Sequence, residues 1–212
     1  MKILMLAYSG MTPLDLMGPL QVWSLWPEAQ IQVVARSTAA IATDTVVQLL
    51  PTHNFDNCFE TPDILFVPGG TKATFELLSD QPTLDFLRLK GERAQWITSV
   101  CTGALVLGAA GLLEGYQATT HWAAVDNLTT FGAIATEGRV VFDRNRVTGG
   151  GITAGIDFGL ALVAKLADEQ TAKVIQLALE YAPQPPFESG TPRQASEETV
   201  QAVLSQFAEA LV

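Results

Sequence analysis

The stretch Trp96–Leu113, WITSV-C-TGALVLGAAGLL, decides the fold. A mostly apolar, β-branched run ends at Val100, a single cysteine follows, and a segment of small helical residues begins at Thr102. Such a run reads as a strand buried on both faces, which parallel sheets require and half-exposed antiparallel sheets do not. The alanine, leucine and glycine after it predict a tightly packed buried helix over Thr102–Leu113. Cys101 then stands at a strand tip on a strand-to-helix turn, the position of a nucleophile elbow.

Working outward, the same alternation repeats. Lys2–Tyr8 (KILMLAY), Ile31–Arg36 (IQVVAR) and Asp63–Val67 (DILFV) read as buried strands, and Thr45–Leu50 has β character before Pro51. A helix opens at Thr12-Pro13, with Thr12 as N-cap, places Leu16, Leu20 and Trp23 on one face, and is closed by Pro27. Further helices are expected at Leu84–Lys90, near Ala123–Phe131, at Ala154–Ala167 and at Thr171–Tyr181. Gly138–Phe142 and Arg146–Thr148 flank a hairpin turn at Asp143-Arg144-Asn145. The segment 183–192 holds four prolines and reads as a loop or arm, followed by an amphipathic helix, Glu197–Leu211. Short apolar strands alternating with helices predict one α/β domain over residues 1–212, with a parallel sheet covered on both faces. No internal repeat or interdomain linker interrupts it. In such sheets, sites lie beyond the C-terminal ends of the strands.

Composition narrows the function. Apolar residues make up 48% and charged residues 16%, which is a core-rich globular balance. The net charge of −10 repels phosphate backbones and anionic lipid, so neither nucleic acid nor a membrane is an expected partner. The apolar start is too short for a secretory signal, and Val100–Leu113 is too short to span a bilayer. The expected compartment is the cytoplasm, where Cys58 and Cys101 remain free thiols.

Four places carry chemistry. Cys101 faces a helix N-terminus, whose N–H groups and dipole predict a low-pKa thiolate, and the Thr102 N–H is placed to bind a developing anion. Pro68-Gly69-Gly70 ends the neighbouring strand, and its glycine N–H groups are candidates for the other half of an oxyanion hole. Asp15 lies just beyond the first strand. It is either a first-turn aspartate favoured by the helix dipole or a carboxyl beside the cysteine, where a like charge would keep it protonated as a general acid. His121 is either a base for Cys101 or a packed helix-start histidine. Cys58 and His53 have loop context and read as structural or surface residues. Trp23, Trp26, Phe75 and Trp122 are candidates for an apolar pocket, with core packing as the alternative for each. Two widely spaced histidines give no metal signature, and Gly149-Gly150-Gly151 lacks the lysine and spacing of a phosphate loop.

Taken together, LDLMGPLQVW at 14–23, ILFVPGG at 64–70, SVCTGALVLGAAGLLEG at 99–115, ATTHW at 118–122, VTGGGITAGIDFGLALV at 147–163 and YAPQPPFESGTP at 181–192 resemble the ThiJ/PfpI superfamily, within the class I glutamine amidotransferase-like fold. The isonitrile hydratase branch is the most similar. The resemblance implies a flavodoxin-like three-layer sandwich, a homodimer, and cofactor-free, metal-free addition of water to a small isonitrile. Cys101, Asp15 and Thr102 would be catalytic, with Gly70, Gly69 and His121 around the substrate. Thr102 stands where protease-like relatives carry histidine, which points away from proteolysis, and no helix-turn-helix extension is expected. A redox or stress protein of the same fold, a cofactor-free glyoxalase or amidase, and a small-molecule sensor are the competing readings.

Overall fold

The computed structural model describes the backbone of residues 1–210 and the side chains of residues 1–208. In chain order the elements are β1 (Lys2–Leu6), α1 (Pro13–Ser24), β2 (Gln30–Ala35), β3 (Ile41–Ala42), β4 (Gln48–Leu49), β5 (His53–Asn54) and β6 (Ile64–Val67). Then come α2 (Lys72–Leu77), α3 (Gln81–Gly91), β7 (Trp96–Val100), α4 (Gly103–Ala109), β8 (Gln117–Ala118), a 3-10 helix (Trp122–Phe131) and β9 (Ile134–Ala135). The chain continues through β10 (Val140–Asp143), β11 (Arg146–Gly149), α5 (Ala154–Leu166), α6 (Glu169–Ala178) and α7 (Glu197–Ala210).

The seven-stranded sheet runs β10-β11-β7-β6-β1-β2-β5. All pairings are parallel except β10 with β11. Its central strands β1, β6 and β7 have almost no exposed side chain, as continuously apolar runs require. Helices α1 and α5 pack together as one layer, with α6 against α5; α2, α3 and the 3-10 helix pack on α4 as the other. The α1–α5 contact is close because Gly155 and Gly159 carry no Cβ: one there would stand 3.0 Å from Pro19 and from Val22 respectively. Trp23 of α1, Phe66 of β6 and Phe158 of α5 stack in the core between them, with centroids 5.4–5.9 Å apart. This is the flavodoxin-like three-layer sandwich. Strand order reverses between β1 and β6, so the crevice at their C-terminal ends is the topological switch point.

Several local expectations are corrected. The helix after Cys101 stops at Ala109 rather than Leu113, because Gly111 turns left-handed at φ +74°. Within Thr45–Leu50 only Gln48–Leu49 is strand, paired with Ile41–Ala42 in a separate ribbon. The segment near Ala123 is a 3-10 helix. His53, read as a surface loop residue, is half-buried on edge strand β5 and meets the Gln32 amide at 3.1 Å. Thr12 precedes α1 but makes no capping bond; its hydroxyl donates to Asp44 at 2.5 Å instead. The hairpin turn is tighter than expected, since Asp143 pairs with Arg146 inside the ladder. The 183–192 arm is exposed and irregular. Leu211, the expected end of the last helix, lies outside the described residues.

Candidate active site

Three strand exits converge at the switch point: that of β1 carries Asp15, that of β6 carries Gly69-Gly70, and that of β7 carries Cys101. Cys101 has φ +54°, in the left-handed region that a residue with a Cβ normally avoids. The turn is over-determined. The Cys101 N–H donates to the carbonyls of Gly149 (3.1 Å) and Gly150 (3.0 Å), and the Thr120 hydroxyl donates to the Cys101 carbonyl at 2.7 Å. Holding a residue there costs about 1–3 kcal/mol, which the surrounding hydrogen bonds must offset. Gly103 lets α4 begin at once, because a Cβ there would sit 2.3 Å from the Val67 carbonyl.

Gly69 lies between the two reactive side chains. A Cβ on it would stand 2.7 Å from Cys101 Cβ, 2.7 Å from the Thr102 nitrogen and 2.8 Å from Asp15 Oδ2. The thiol, the Thr102 N–H and the Asp15 carboxyl therefore surround one small-residue position. Its loop is fixed by the Thr12 N–H, which donates to the Gly69 carbonyl at 3.0 Å, and by the bridge between Met11 and Gly70.

Asp15 is fully buried on α1, and among the described residues neither carboxyl oxygen has a hydrogen-bond partner of good geometry. Burial raises its pKa from 3.8 to about 7; the Cys101 thiol and the Gly69 N–H beside it pull the other way, while the charge of Asp44 adds to the rise. The low-pKa thiolate expected for Cys101 is corrected. At 4% exposure, burial pushes the thiol well above its usual range, and the Asp15 charge pushes it further. The Thr102 N–H and hydroxyl oppose this without reversing it. A seven-residue helix and one N–H do not outweigh desolvation of a thiolate beside a carboxyl.

Thr102 has a second task. Its hydroxyl donates to the Gly70 carbonyl at 2.6 Å and accepts from the Gly70 N–H at 3.0 Å. The Gly70 N–H is thus taken up by Thr102 rather than aimed at an oxyanion. Thr74 Oγ1 lies 2.9 Å from Thr102 Oγ1 and 3.0 Å from the Tyr8 hydroxyl, which donates to the Pro68 carbonyl at 3.1 Å. Tyr8 and Thr74 thus brace the Pro68–Gly70 loop and Thr102, a contact that sequence reading passed over; only their position at strand and helix ends signalled them.

His121 lies at the same cavity as Cys101. Its Nδ1 accepts from the Ala123 N–H at 3.2 Å, so Nε2 carries the proton of the neutral ring. Burial lowers its pKa and keeps the ring neutral. With its acceptor lone pair occupied, the ring has none left to take a proton from Cys101. The cavity holds about 280 Å³. Its lining mixes polar side chains (Thr12, Asp44, Thr45 and Thr71) with Ile152, Phe207 and the His121 ring. A larger cavity of about 440 Å³ opens beside Arg36, Phe55 and Asp80. It is lined by no cysteine or histidine, and Arg36 is tied up by Asp80, whereas Cys101 and His121 both line the smaller one. None of Trp23, Trp26, Phe75 and Trp122 lines the Cys101 cavity. Trp23 and Trp26 are buried in the core. Among the described residues no group of three or more His, Cys, Asp or Glu is placed to hold a metal ion, and no helix is long and apolar enough to cross a membrane.

The chain is 48% identical to the isonitrile hydratase of Pseudomonas putida over 192 residues, 91% of this chain and 83% of that protein. The crystal structure of a ThiJ/PfpI family protein from Pseudomonas syringae superposes with a TM-score of 0.96 at 47% identity, covering 99% of this chain and 87% of that one. Drosophila melanogaster DJ-1beta shares the fold at a TM-score of 0.75 and 20% identity, over 86% of this chain and 98% of its own. With residues 1–165 matching the sequence model of the DJ-1/PfpI family, and nearly half of the positions shared with a relative over most of the length, the chain belongs to the DJ-1/PfpI family.

Proposed function

We propose that this protein is an isonitrile hydratase, converting R–N≡C and water into the formamide R–NH–CHO. The observation that carries the reading is the pairing of a buried carboxyl with a buried thiol around Gly69, in a chain 48% identical to a curated isonitrile hydratase. An isonitrile carbon is unusual in accepting both a proton and a nucleophile, and this site offers both from adjacent side chains.

The pair holds one proton in its working form. The Cys101 S–H proton passes to Asp15 as sulfur bonds to the isonitrile carbon, and Asp15 delivers that proton to the same carbon. The product is a thioimidate, R–N=CH–S–Cys101, with Asp15 ionised again. Asp15 then takes a proton from water as the oxygen attacks the thioimidate carbon, and the nitrogen acquires it. The C–S bond breaks, the formamide leaves, and the hydroxyl proton returns to sulfur. Covalent catalysis splits one hard step into two. The Thr102 N–H faces sulfur and favours its anionic form, while the Thr102 hydroxyl positions the Gly70 loop. His121 serves as a wall and as an Nε2–H donor. No step calls on a metal or an organic cofactor. The test is formamide production from a simple alkyl isonitrile, followed by chromatography: turnover by the wild-type chain supports the reading, and its absence sinks it.

A further inference from the structure

Phe207 reaches the site from far along the chain. Helix α7 returns after the exposed 183–192 arm, and its Val200, Val203, Leu204 and Phe207 form a half-buried stripe at helical spacing. At the end of that stripe the Phe207 ring stacks on His121, with centroids 4.7 Å apart and planes 21° from parallel. With Ile152 it is one of the two large apolar side chains that line the cavity, among Thr12, Asp44, Thr45 and Thr71.

An isonitrile must present its terminal carbon to Cys101, so its N-substituent points away from sulfur toward the cavity walls. The large apolar side chains available there to an apolar substituent are those of Ile152 and Phe207. We propose that Phe207 is a specificity-determining residue that selects substrates by the size and apolarity of their N-substituent, favouring cyclic alkyl and aryl isonitriles over methyl isonitrile. The proposal rests on the isonitrile reading. Stacking on a neutral imidazole pre-orients the Phe207 ring, so little side-chain freedom is lost when substrate packs on it.

The experiment compares kcat/KM for cyclohexyl and methyl isonitrile in wild-type, Phe207→Ala and Phe207→Leu chains. The ratio of cyclohexyl to methyl should fall about tenfold in Phe207→Ala and recover largely in Phe207→Leu. A merely structural helix would lower both substrates together and leave the ratio unchanged, and that result overturns the proposal. If the wild-type chain hydrates no isonitrile, the reaction assignment fails by itself. The wall is then read from Cys101 alkylation by iodoacetamide against its N-cyclohexyl analogue, followed by peptide mass spectrometry with Cys58 as internal reference. A rise in the ratio of iodoacetamide product to N-cyclohexyl product in Phe207→Ala upholds the apolar wall, and an unchanged or lower ratio removes it.

Discussion

At the scale of single residues, the site balances two acids that both resist ionisation. Burial raises Asp15 to about 7 and Cys101 further, so between those two values the pair holds one proton. That singly protonated pair is the form the reaction needs. kcat/KM should therefore fall as the pH drops below about 7, where the pair takes up its second proton, hold level above it, and fall again at strongly alkaline pH. A pH–rate profile checks this, and a profile flat from pH 5 to 8 contradicts it. Cys101→Ala should abolish formamide formation while circular dichroism stays that of the wild type. Thr102→Val strands the buried Gly70 N–H and removes a contact to Cys101 and Thr74; kcat/KM should drop about tenfold to a hundredfold. The same burial opposes the redox reading, because peroxide attacks an exposed thiolate, and Cys101 is a shielded thiol. Cys58 is half-buried, its thiol donating to the Phe55 carbonyl at 3.6 Å, and burial holds the thiol above its usual range despite the neighbouring Lys90 ammonium.

At the scale of elements, the elbow depends on backbone touching backbone. The first turn of α4 lies against the end of β6 because residue 103 lacks a Cβ. Gly103→Ala would place a methyl 2.3 Å from the Val67 carbonyl and 2.8 Å from that of Pro68, neither of which can rotate away. We expect a destabilisation of about 3 kcal/mol or more in urea unfolding, together with lost activity. The strand-cysteine-helix arrangement was legible because each part follows from local composition: an apolar run, a single residue, small helical residues. The ends of these elements were less legible. Gly111 ended α4 early, and α7 read as one more amphipathic helix, with nothing local to mark Phe207 as a wall of the site. The pairing of β5 at the sheet edge was equally hidden, since His53–Asn54 lies in a polar segment and its strand character comes from β2 alongside it.

At the scale of the whole molecule, burying Asp15 ties global stability to pH. Its folded pKa of about 7 lies above the model-peptide value of 3.8, so between those pH values the folded chain holds a proton that the unfolded chain has released. Stability must then fall as pH rises through that window, by on the order of 4 kcal/mol, and level off above it. In Asp15→Asn that loss should disappear, which chemical denaturation at pH 4, 5.5 and 7.5 would measure; an equal slope in both chains would show that Asp15 is not desolvated. The homodimer implied by the family resemblance is tested at this scale too: sedimentation at micromolar concentration should return twice the monomer mass.

By itself the sequence determined a buried parallel sheet, a cysteine at a strand tip, a Pro-Gly-Gly stop on another strand and an acidic residue just beyond a third. Those are properties of hydrophobic period, turn chemistry and the switch-point rule, all local or nearly so. Only the tertiary structure decided what these residues do to one another. The fold buried Asp15, making it an acid near neutrality, and by burial together with the Asp15 charge across Gly69 kept Cys101 a protonated thiol, where the helix dipole alone predicted a thiolate. It turned the Gly70 N–H toward Thr102, occupied the lone pair of His121 and brought Phe207 to the cavity. Desolvation and contact between distant segments set those outcomes, and neither is written in the neighbours of a residue along the chain.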